Sequence, residues 1–336
     1  MENIPIQLQG LCSGLPRVPL CSVLPTPLED ASRLSRELGG VRLFFKRDDL
    51  TGLALGGNKI RNMEFIFGEL LSKGCDSVIT TAGVQSNMCR ATAAVASRLG
   101  LRAVLMLRGT GEEKKQGNLL LDELLGADIR FIPAEDPYDS RVDVWLKEIR
   151  AELKDKGHNP YLLHLTGDTA TVAACAYVDA AEELGKQFDD LELNPDYFYV
   201  TVGSGVTMAG LVLGFKHLEK SVRVVGVSVS SEREFLKERI VMYANQTAEF
   251  LGLSTRVSSD DFHIYDQYVG PGYAKSYPAV EEAVRLTAQQ EGVLLDPVYT
   301  GKCMHGLRDQ IHQGSVDKNH TVIFLHSGGA PNLFVE

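Results

Sequence analysis

Short apolar runs alternate with helical patterns along most of the chain, and this alternation limits the fold more than any other feature. Several of the runs are rich in Val and Ile and lack polar alternation, which is typical of strands covered on both faces. The predicted strands cover residues 41–46, 77–81, 103–107, 129–132, 161–165, 198–202, 222–229 and 321–326.

Apolar residues with helical spacing fill the intervals between these strands. The predicted helices cover residues 63–73, 90–99, 117–125, 143–156, 171–184, 208–218 and 277–291. Alternating strands and helices predict an α/β fold with mostly parallel sheets covered by helices. The pattern forms two blocks, so we expect a larger domain of residues 1–52 plus 165–336 and a smaller α/β domain of residues 53–164.

The composition is that of an ordinary globular protein and argues against several kinds of partner. The chain has 336 residues, enough for about two domains. Its 34 Lys and Arg against 44 Asp and Glu give a net charge of −10, which argues against a nucleic acid or an anionic membrane as partner. The six cysteines form no C-x-x-C pair and no cluster with zinc spacing, so we expect reduced thiols and no metal site.

Targeting signals are not visible in the sequence. The first ten residues lack both the basic and the apolar segment of a signal peptide. The uncharged stretch 197–215 contains four glycines, and a strand, a tight loop and a helix explain it better than a membrane span does. We therefore expect a cytoplasmic protein.

The tetrapeptide Gly56-Gly57-Asn58-Lys59 is the first candidate for chemistry. Two glycines allow a tight turn and a close approach to a ligand. A lysine held after such a turn can be desolvated, which lowers its pKa and makes the amine nucleophilic. Taken alone, the tetrapeptide more often marks a solvated lysine beside a surface turn.

The other candidates are loops that follow strands, where ligands bind in open α/β sheets. Gln85-Ser86-Asn87 precedes a helix and is either a plain helix cap or a site for a carboxylate. The glycine-rich segment 203–210 follows the strand that ends at Val202 and could hold a phosphate. A dinucleotide turn, and hence an NAD-dependent oxidoreductase, is the alternative. However, its glycine spacing differs, and the next strand ends at serines instead of an acidic residue.

Three C-terminal segments complete the set, although each alone is more often structural than functional. Residues 296–302 look like a strand end or a turn, residues 326–329 follow the last predicted strand, and residues 270–273 form a turn that presents Tyr273.

In this order the motifs resemble the pyridoxal-phosphate enzymes of fold type II, the tryptophan-synthase-β type. The resemblance is closest to the family of D-cysteine desulfhydrase and 1-aminocyclopropane-1-carboxylate (ACC) deaminase. It covers nearly the whole chain, from residue 25 to residue 331, and it implies a pyridoxal 5'-phosphate cofactor between two domains and a homodimer. The matching segments are 46–49, 56–59, 85–87, 296–302 and 326–331.

The resemblance also implies a role for each motif. Lys59 would bind the cofactor aldehyde covalently and, once freed, would take the α-proton of an amino-acid substrate. The other implied roles are Asn87 at the ring hydroxyl and beside the substrate, Gly203, Ser204, Gly205, Val206 and Thr207 at the phosphate, Ser327 at the pyridine nitrogen, Ser86 at the substrate carboxylate, and Tyr273 and Tyr299 beside the substrate.

The resemblance separates two activities within this family. ACC deaminases carry a Glu after the tyrosine of the V-Y motif, where this chain has Thr300, and they lack the hydroxyl that Ser327 supplies here. The sequence therefore favours a lyase that removes a β-substituent, releasing pyruvate, ammonia and, from D-cysteine, sulfide. ACC deaminase activity remains an alternative.

Departures from the desulfhydrase pattern concern the substrate side chain. Met88-Cys89, residues 166–171 and residues 274–278 differ from the usual motifs. An L-cysteate sulfo-lyase, which releases sulfite, is therefore a further alternative. A sulfonate needs cationic or N–H donors, and Lys275 beside Tyr273 could supply one, although a solvated loop lysine explains it somewhat better.

Overall fold

The fold is known from a computed structural model that describes residues 10–134, 139, 141–164 and 167–336. The expectation about the N-terminal segment therefore lies largely outside the described residues. The end of the predicted strand 161–165 and the start of the segment 166–171 lie outside them too.

A six-stranded sheet forms one part of the molecule. Its strand order is β1-β2-β10-β7-β8-β9, and every neighbouring pair is parallel except β1 with β2. The parallel arrangement brings the carboxyl ends of β2, β7, β8, β9 and β10 to one edge. The strands are β1 Leu28–Asp30, β2 Arg42–Lys46, β7 Tyr197–Val202, β8 Arg223–Ser228, β9 Phe262–Tyr265 and β10 Thr321–Leu325.

A second, four-stranded sheet is parallel throughout, with the order β5-β4-β3-β6. Its central strands are buried along most of their length because helices cover both faces. The strands are β3 Ser77–Gly83, β4 Arg102–Arg108, β5 Asp128–Ile132 and β6 Pro160–Leu163. The predicted α/β class with mostly parallel sheets is confirmed, whereas the domain boundaries at 52/53 and 164/165 stay a prediction.

Ten α-helices occur in the part of the chain that the structure describes. They are α1 Ser32–Glu37, α2 Asn58–Ser72, α3 Asn87–Leu99, α4 Gly117–Leu124, α5 Arg141–Asp155, α6 Asp168–Asp190, α7 Val206–His217, α8 Arg233–Phe250, α9 Pro278–Glu291 and α10 Thr300–His312. The sequence patterns identified neither β1 and β9 nor α1, α8 and α10. The prediction of a strand end or turn at 296–302 is wrong for its last three residues, which begin α10.

The uncharged stretch 197–215 is the strand, loop and helix that its glycines indicate. Glycines on α7 allow it to pack closely against α6, since a Cβ atom at Gly210 would lie 2.3 Å from the carbonyl oxygen of Ala174. In the described ranges, no helix has both the length and the apolar character that a membrane crossing requires. This close packing fixes the start of α7, which carries the glycine-rich loop.

Candidate active site

Most of the predicted site residues line one cavity of about 600 Å³ at the carboxyl ends of strands from both sheets. Two predicted residues do not line it. The side chain of Val206 is buried in the core, and Lys275 is exposed on the turn after Tyr273. This geometry argues against Lys275 as a substrate contact. The predicted residues that line the cavity are Lys59, Ser86, Asn87, Gly203, Ser204, Gly205, Thr207, Tyr273, Tyr299 and Ser327.

The turn before Lys59 is held by its neighbours. Its backbone packs directly on the loop after β10, where a Cβ atom at Gly328 would lie 2.7 Å from Cα of Gly57. The Asn58 N–H donates to the carbonyl of Ser327 at 3.0 Å. Glycine is therefore required at both points of close approach.

Arg90 holds this turn from the other side. Its buried guanidinium donates to the carbonyls of Ala54 at 2.7 Å and Gly56 at 3.0 Å. Burial lowers the pKa of Arg90 to about 10, which leaves it charged at neutral pH. No sequence motif marks this residue, although it stabilises the turn that precedes Lys59.

The amine of Lys59 is the chemical centre of the cavity. Its burial lowers its pKa to about 8, so an appreciable neutral fraction exists near neutral pH. Among the residues that the structure describes, the cavity lining includes neither Asp nor Glu. With no carboxylate beside it, the amine is not held in its charged form and can act as a nucleophile or a base.

The start of α3 combines a helix cap with donors that face the cavity. Ser86 caps the helix, because its hydroxyl oxygen accepts from the N–H groups of Met88 and Cys89, both at 3.2 Å. A hydroxyl that accepts two hydrogen bonds keeps its own proton to donate. Ser86 can therefore cap the helix and donate a hydrogen bond to a carboxylate at the same time.

A neighbouring side chain orients the amide of Asn87. Asn118 on α4 donates from its Nδ2 to the Asn87 Oδ1 at 2.9 Å and to the carbonyl of Gln85 at 2.9 Å. Since the Asn87 oxygen is occupied in this way, its NH₂ group is the end left to donate to a ligand. Sequence reasoning missed Asn118, because it lies on α4, outside every motif, and meets Asn87 only in the folded chain.

The glycine-rich loop ends at the start of α7, where the first N–H groups have no partner within the helix. Gly205 precedes the helix, and the Thr207 hydroxyl lies in its first turn. Asn58 donates from its Nδ2 to the Thr207 Oγ1 at 3.1 Å, so the threonine hydroxyl can donate its own proton. N–H groups, hydroxyls and the helix dipole together suit a phosphate.

A buried aspartate organises the C-terminal segments. Asp296 accepts hydrogen bonds from the backbone N–H groups of Val298, Tyr299 and Thr300 at 2.9–3.1 Å. The Thr300 hydroxyl also donates to Asp296, at 2.7 Å. Thr300 is thereby committed to this aspartate, whereas the Ser327 side chain lines the cavity.

Two tyrosines close one side of the cavity. The hydroxyls of Tyr273 and Tyr299 are in hydrogen-bond contact, and their rings meet edge to face with centroids 6.0 Å apart. Burial raises the pKa of both phenols, and for Tyr299 the proximity of Tyr273 raises the pKa further. Both are therefore neutral at physiological pH; one O–H is used in the contact between them, and the other is left to donate to a ligand.

The lining also contains residues that sequence reasoning did not single out. Arg108, the last residue of β4, and Arg239 on α8 add two cations, and His164 adds an imidazole. An arginine at the end of a strand resembles a solvated edge residue in the sequence, so no pattern distinguished Arg108. Together with Lys59, these arginines make the cavity cationic in a chain of net charge −10.

A charged cluster lies on the opposite side of α2 from this cavity. Arg61 bridges Asp48 at 3.0 Å and Glu183 at 2.8 Å, and Lys46 also contacts Glu183. Tyr177 donates to Asp48 at 2.6 Å. Burial acts to raise the pKa of Asp48, but Arg61 and Lys46 hold it below its usual value. The cluster fixes α2, and with it the position of Lys59.

The family of the chain follows from comparison with known proteins. Residues 22–328 match the family described as pyridoxal-phosphate dependent enzyme. The chain belongs to this family. The predicted pyridoxal-phosphate cofactor, fold type II architecture and lyase class are confirmed.

Within this family, the chain is similar to proteins that are named as ACC deaminases and D-cysteine desulfhydrases. A protein of Pyrococcus abyssi, provisionally named 1-aminocyclopropane-1-carboxylate deaminase, is 42% identical over 98% of this chain and 96% of its own length. A D-cysteine desulfhydrase of Salmonella newport is 39% identical over 95% of both chains. The crystal structure of an ACC deaminase homologue has a TM-score of 0.87 and 37% identity, covering 96% of this chain and 95% of its own.

The donors in the cavity fit the cofactor of this family. A phosphate matches the N–H groups at the start of α7, and a ring oxygen matches the amide that Asn118 orients. An aldehyde matches the Lys59 amine, whose lowered pKa leaves it partly neutral.

Proposed function

We propose that this enzyme catalyses α,β-elimination from an amino acid with a leaving group on its β-carbon, releasing pyruvate and ammonia. D-cysteine, which would give sulfide, is the first substrate to consider, because the Salmonella relative carries that name. The observation that supports elimination most strongly is the lack of Asp and Glu in the described lining of the cavity.

That observation bears on the electronic state of the cofactor. When bound, pyridoxal phosphate accepts the electrons that are released when a bond to the substrate α-carbon breaks. A carboxylate at the pyridine nitrogen would keep that nitrogen protonated, whereas the neutral hydroxyl of Ser327, which we propose to face it, would not enforce this. With Ser327 there, less charge would be drawn into a bound ring, which would favour expulsion of a β-substituent.

Binding is assigned to the donors at the two helix starts. We propose that the start of α7, with Ser204 and Thr207, binds the phosphate and that Asn87 donates to the ring oxygen. The Ser86 hydroxyl and the N–H groups beside it would hold the substrate carboxylate. These groups orient the substrate without contributing negative charge to the cavity.

Proton transfer is assigned to Lys59 and the two tyrosines. Once its amine is free, Lys59 would take the α-proton, because its lowered pKa makes the neutral amine accessible near pH 8. Whichever of Tyr273 and Tyr299 accepts in the hydrogen bond between them keeps its own O–H, which would donate to the departing group.

ACC ring opening is the second candidate, supported by the names of the Pyrococcus protein and of the structural relative. The Thr300 hydroxyl is bound to Asp296, and no carboxylate takes its place in the described lining. The cavity therefore offers no acidic partner for the ring nitrogen, which the family resemblance associates with ring opening.

A substrate panel tests the proposal. The pure enzyme, saturated with pyridoxal phosphate, is given D-cysteine, L-cysteate, D-serine, β-chloroalanine and ACC in separate reactions, and ammonia, pyruvate and 2-oxobutyrate are measured. We expect pyruvate and ammonia from at least one β-substituted amino acid. Release of 2-oxobutyrate from ACC, without pyruvate from any of the others, would contradict the proposal.

A further inference from the structure

Lys302 is a buried lysine for which the elimination described above has no direct use. It lies in the first turn of α10, three residues after Tyr299, and its side chain is fully buried. Both of its hydrogen bonds to the described residues go to backbone carbonyls, because its Nζ donates to Val269 at 2.8 Å and to Gly272 at 2.9 Å. Lys302 therefore ties α10 to the turn that presents Tyr273.

The stability of the fold does not by itself call for a lysine at this position. A buried amine costs free energy, whereas a methionine of similar length would fill the same space without that cost. Burial lowers the pKa of Lys302, and the charge of Asp296 opposes this. The hydrogen bonds that compensate the buried amine both go to the Tyr273 turn, so the lysine acts on the position of that turn.

The turn depends on such a tether because its own residues hold it weakly. Tyr273 is 45% exposed, so packing on neighbouring side chains does not by itself fix the ring. Gly270 and Gly272 give the preceding backbone more conformational freedom than other residues would. The carbonyl that Lys302 binds at 2.9 Å belongs to Gly272, the residue directly before Tyr273.

The partner of Tyr273 is fixed by the same helix that carries Lys302. Tyr299 lies directly before α10, and its N–H donates to the buried Asp296 at 3.0 Å. The hydroxyls of the two tyrosines are in contact, with ring centroids 6.0 Å apart. One side of this contact is thus anchored at the start of α10, and the other is held there through the Lys302 amine.

We propose that Lys302 is a positioning residue that holds Tyr273 against Tyr299, so that the pair presents one free O–H to the leaving group of the substrate. The inference rests on the proposed elimination. The α-proton goes to Lys59, the bond between the β-carbon and the departing atom breaks, and its electron pair stays on that atom. The tyrosine O–H stabilises the negative charge that develops there. Proton exchange with solvent then completes the leaving group, and the remaining 2-aminoacrylate takes up water to give pyruvate and ammonia.

Three substrates that differ only in the leaving group test this proposal. β-Chloroalanine, cysteine and serine lose chloride, hydrosulfide and hydroxide, and the need for a proton donor increases in that order. All three are used in the configuration in which wild type turns over β-chloroalanine faster. In Lys302→Met the ratio of kcat/KM for serine to that for β-chloroalanine should fall by roughly tenfold, as for a displaced catalytic group. The cysteine ratio should fall less, and Lys302→Arg, which keeps donors, should retain more of both ratios.

A double-mutant cycle shows whether Lys302 acts through Tyr273. Tyr273→Phe removes the hydroxyl and should lower the serine ratio by roughly 10²-fold. In that background Lys302→Met should change the ratio less than about twofold, because no hydroxyl is left to position. A further tenfold loss in the double variant, or an unchanged ratio in Tyr273→Phe alone, would overturn the inference.

The matched control removes another cation from the same helix. Arg308 lies on α10 and pairs with the exposed Glu282 at 2.7 Å. Arg308→Met should leave the substrate ratios unchanged, whatever its effect on Tm. If Lys302→Met lowered kcat/KM equally for all three substrates, Lys302 would have a purely structural role and the inference would be wrong.

The remaining outcomes separate the inference from the proposed function. Turnover of β-chloroalanine without turnover of cysteine or serine would overturn the inference, since a positioned donor would have no leaving group to act on, and would leave elimination intact. No pyruvate from any β-substituted amino acid would overturn the proposed function itself.

A measurement on wild-type enzyme covers the case in which the Lys302 variants do not fold. The cofactor-loaded enzyme is labelled briefly with acetic anhydride, and mass spectrometry of the digested protein locates the modified lysines. We expect Lys302 to react at least about tenfold more slowly than the exposed Lys275 of the same turn, because its amine is free only when the turn opens. Equal labelling of the two lysines would show that Lys302 does not hold the turn.

Discussion

The helix α2 carries a cation on each of two nearly opposite faces. Carboxylates surround one of these cations, and the described surroundings of the other contain none. Arg61 and Lys59 are two residues apart on α2, which places them about 200° apart around the helix axis. Arg61 faces Asp48 and Glu183 and is fully paired, whereas Lys59 faces a cavity whose described lining has no carboxylate. The paired face stabilises the fold, and the unpaired face is available for anionic ligands.

This difference explains why charge alone does not identify the active site. The cluster around Arg61 contains more charged groups than the surroundings of Lys59, yet all of its carboxylates have partners. The pKa of Lys59 falls to about 8 because burial is not offset by a carboxylate. The lysine that we propose as the reactive group is therefore distinguished by its lack of a counter-charge.

Removal of the Lys59 amine should have the largest effect. Lys59→Ala should lower kcat/KM for β-chloroalanine by about 10³-fold or more, because both the covalent attachment and the base are lost. The control is Lys73→Ala, which removes an exposed lysine just past the end of the same helix. Turnover of Lys59→Ala within tenfold of wild type would show that another group does the chemistry.

Breaking the paired face should reduce stability. Arg61→Met leaves Asp48 and Glu183 buried beside Lys46 alone and should lower the free energy of unfolding by about 3 kcal/mol or more. Urea unfolding of the cofactor-loaded protein measures this, with the exposed Arg102→Met for comparison. A loss below about 1 kcal/mol would mean that the cluster does not fix α2.

We expect Asn118 to affect cofactor binding only through its hydrogen bond to Asn87. Asn118→Ala frees the Asn87 amide to rotate and should weaken pyridoxal-phosphate binding by roughly tenfold, as for other residues that orient a ligand-binding group. Equilibrium titration followed by the absorbance of bound cofactor gives the Kd, and the spectrum reports the environment of the ring oxygen. If only the Tm changed, with the Kd and spectrum as in wild type, Asn118 would be a purely structural residue.

The lowered pKa of Lys59 predicts the pH dependence of cofactor uptake. A lysine is neutral above its pKa, and only the neutral amine attacks an aldehyde, so uptake by the apoprotein should accelerate as pH rises through about 8. For that pKa the rate should increase about fivefold from pH 7 to pH 8 and level off above pH 9. Stopped-flow absorbance measures it. A rate that keeps rising to pH 10.5 would mean that the amine is not desolvated.

The strongest sequence patterns predicted most of the fold. The central strands β7 and β10 are mostly apolar, and β3 is rich in β-branched residues, all of which favour strands. The missed strand β1 spans only Leu28–Asp30, and β9 is four residues long, too short for a pattern. The helix α8 leaves Phe235, Met242 and Phe250 exposed, so its apolar residues do not mark a single buried face.

The site was predictable where a motif carries the chemistry and unpredictable where tertiary structure supplies it. Lys59, Asn87 and Ser327 lie in motifs with a fixed order. Arg108 reaches the cavity, and Asn118 reaches Asn87, only because β4 and α4 pack beside α3, which no local pattern reveals. The oligomeric state and the cytoplasmic location stay predictions.

Reductive trapping tests the central claim most directly. Borohydride reduction of the cofactor-loaded enzyme fixes pyridoxal phosphate to the lysine that it is bonded to, and mass spectrometry of the digested protein locates the tag. We predict one tag per chain, on the peptide that contains Lys59. A tag on another lysine, or none in a protein that retains turnover, would contradict the account.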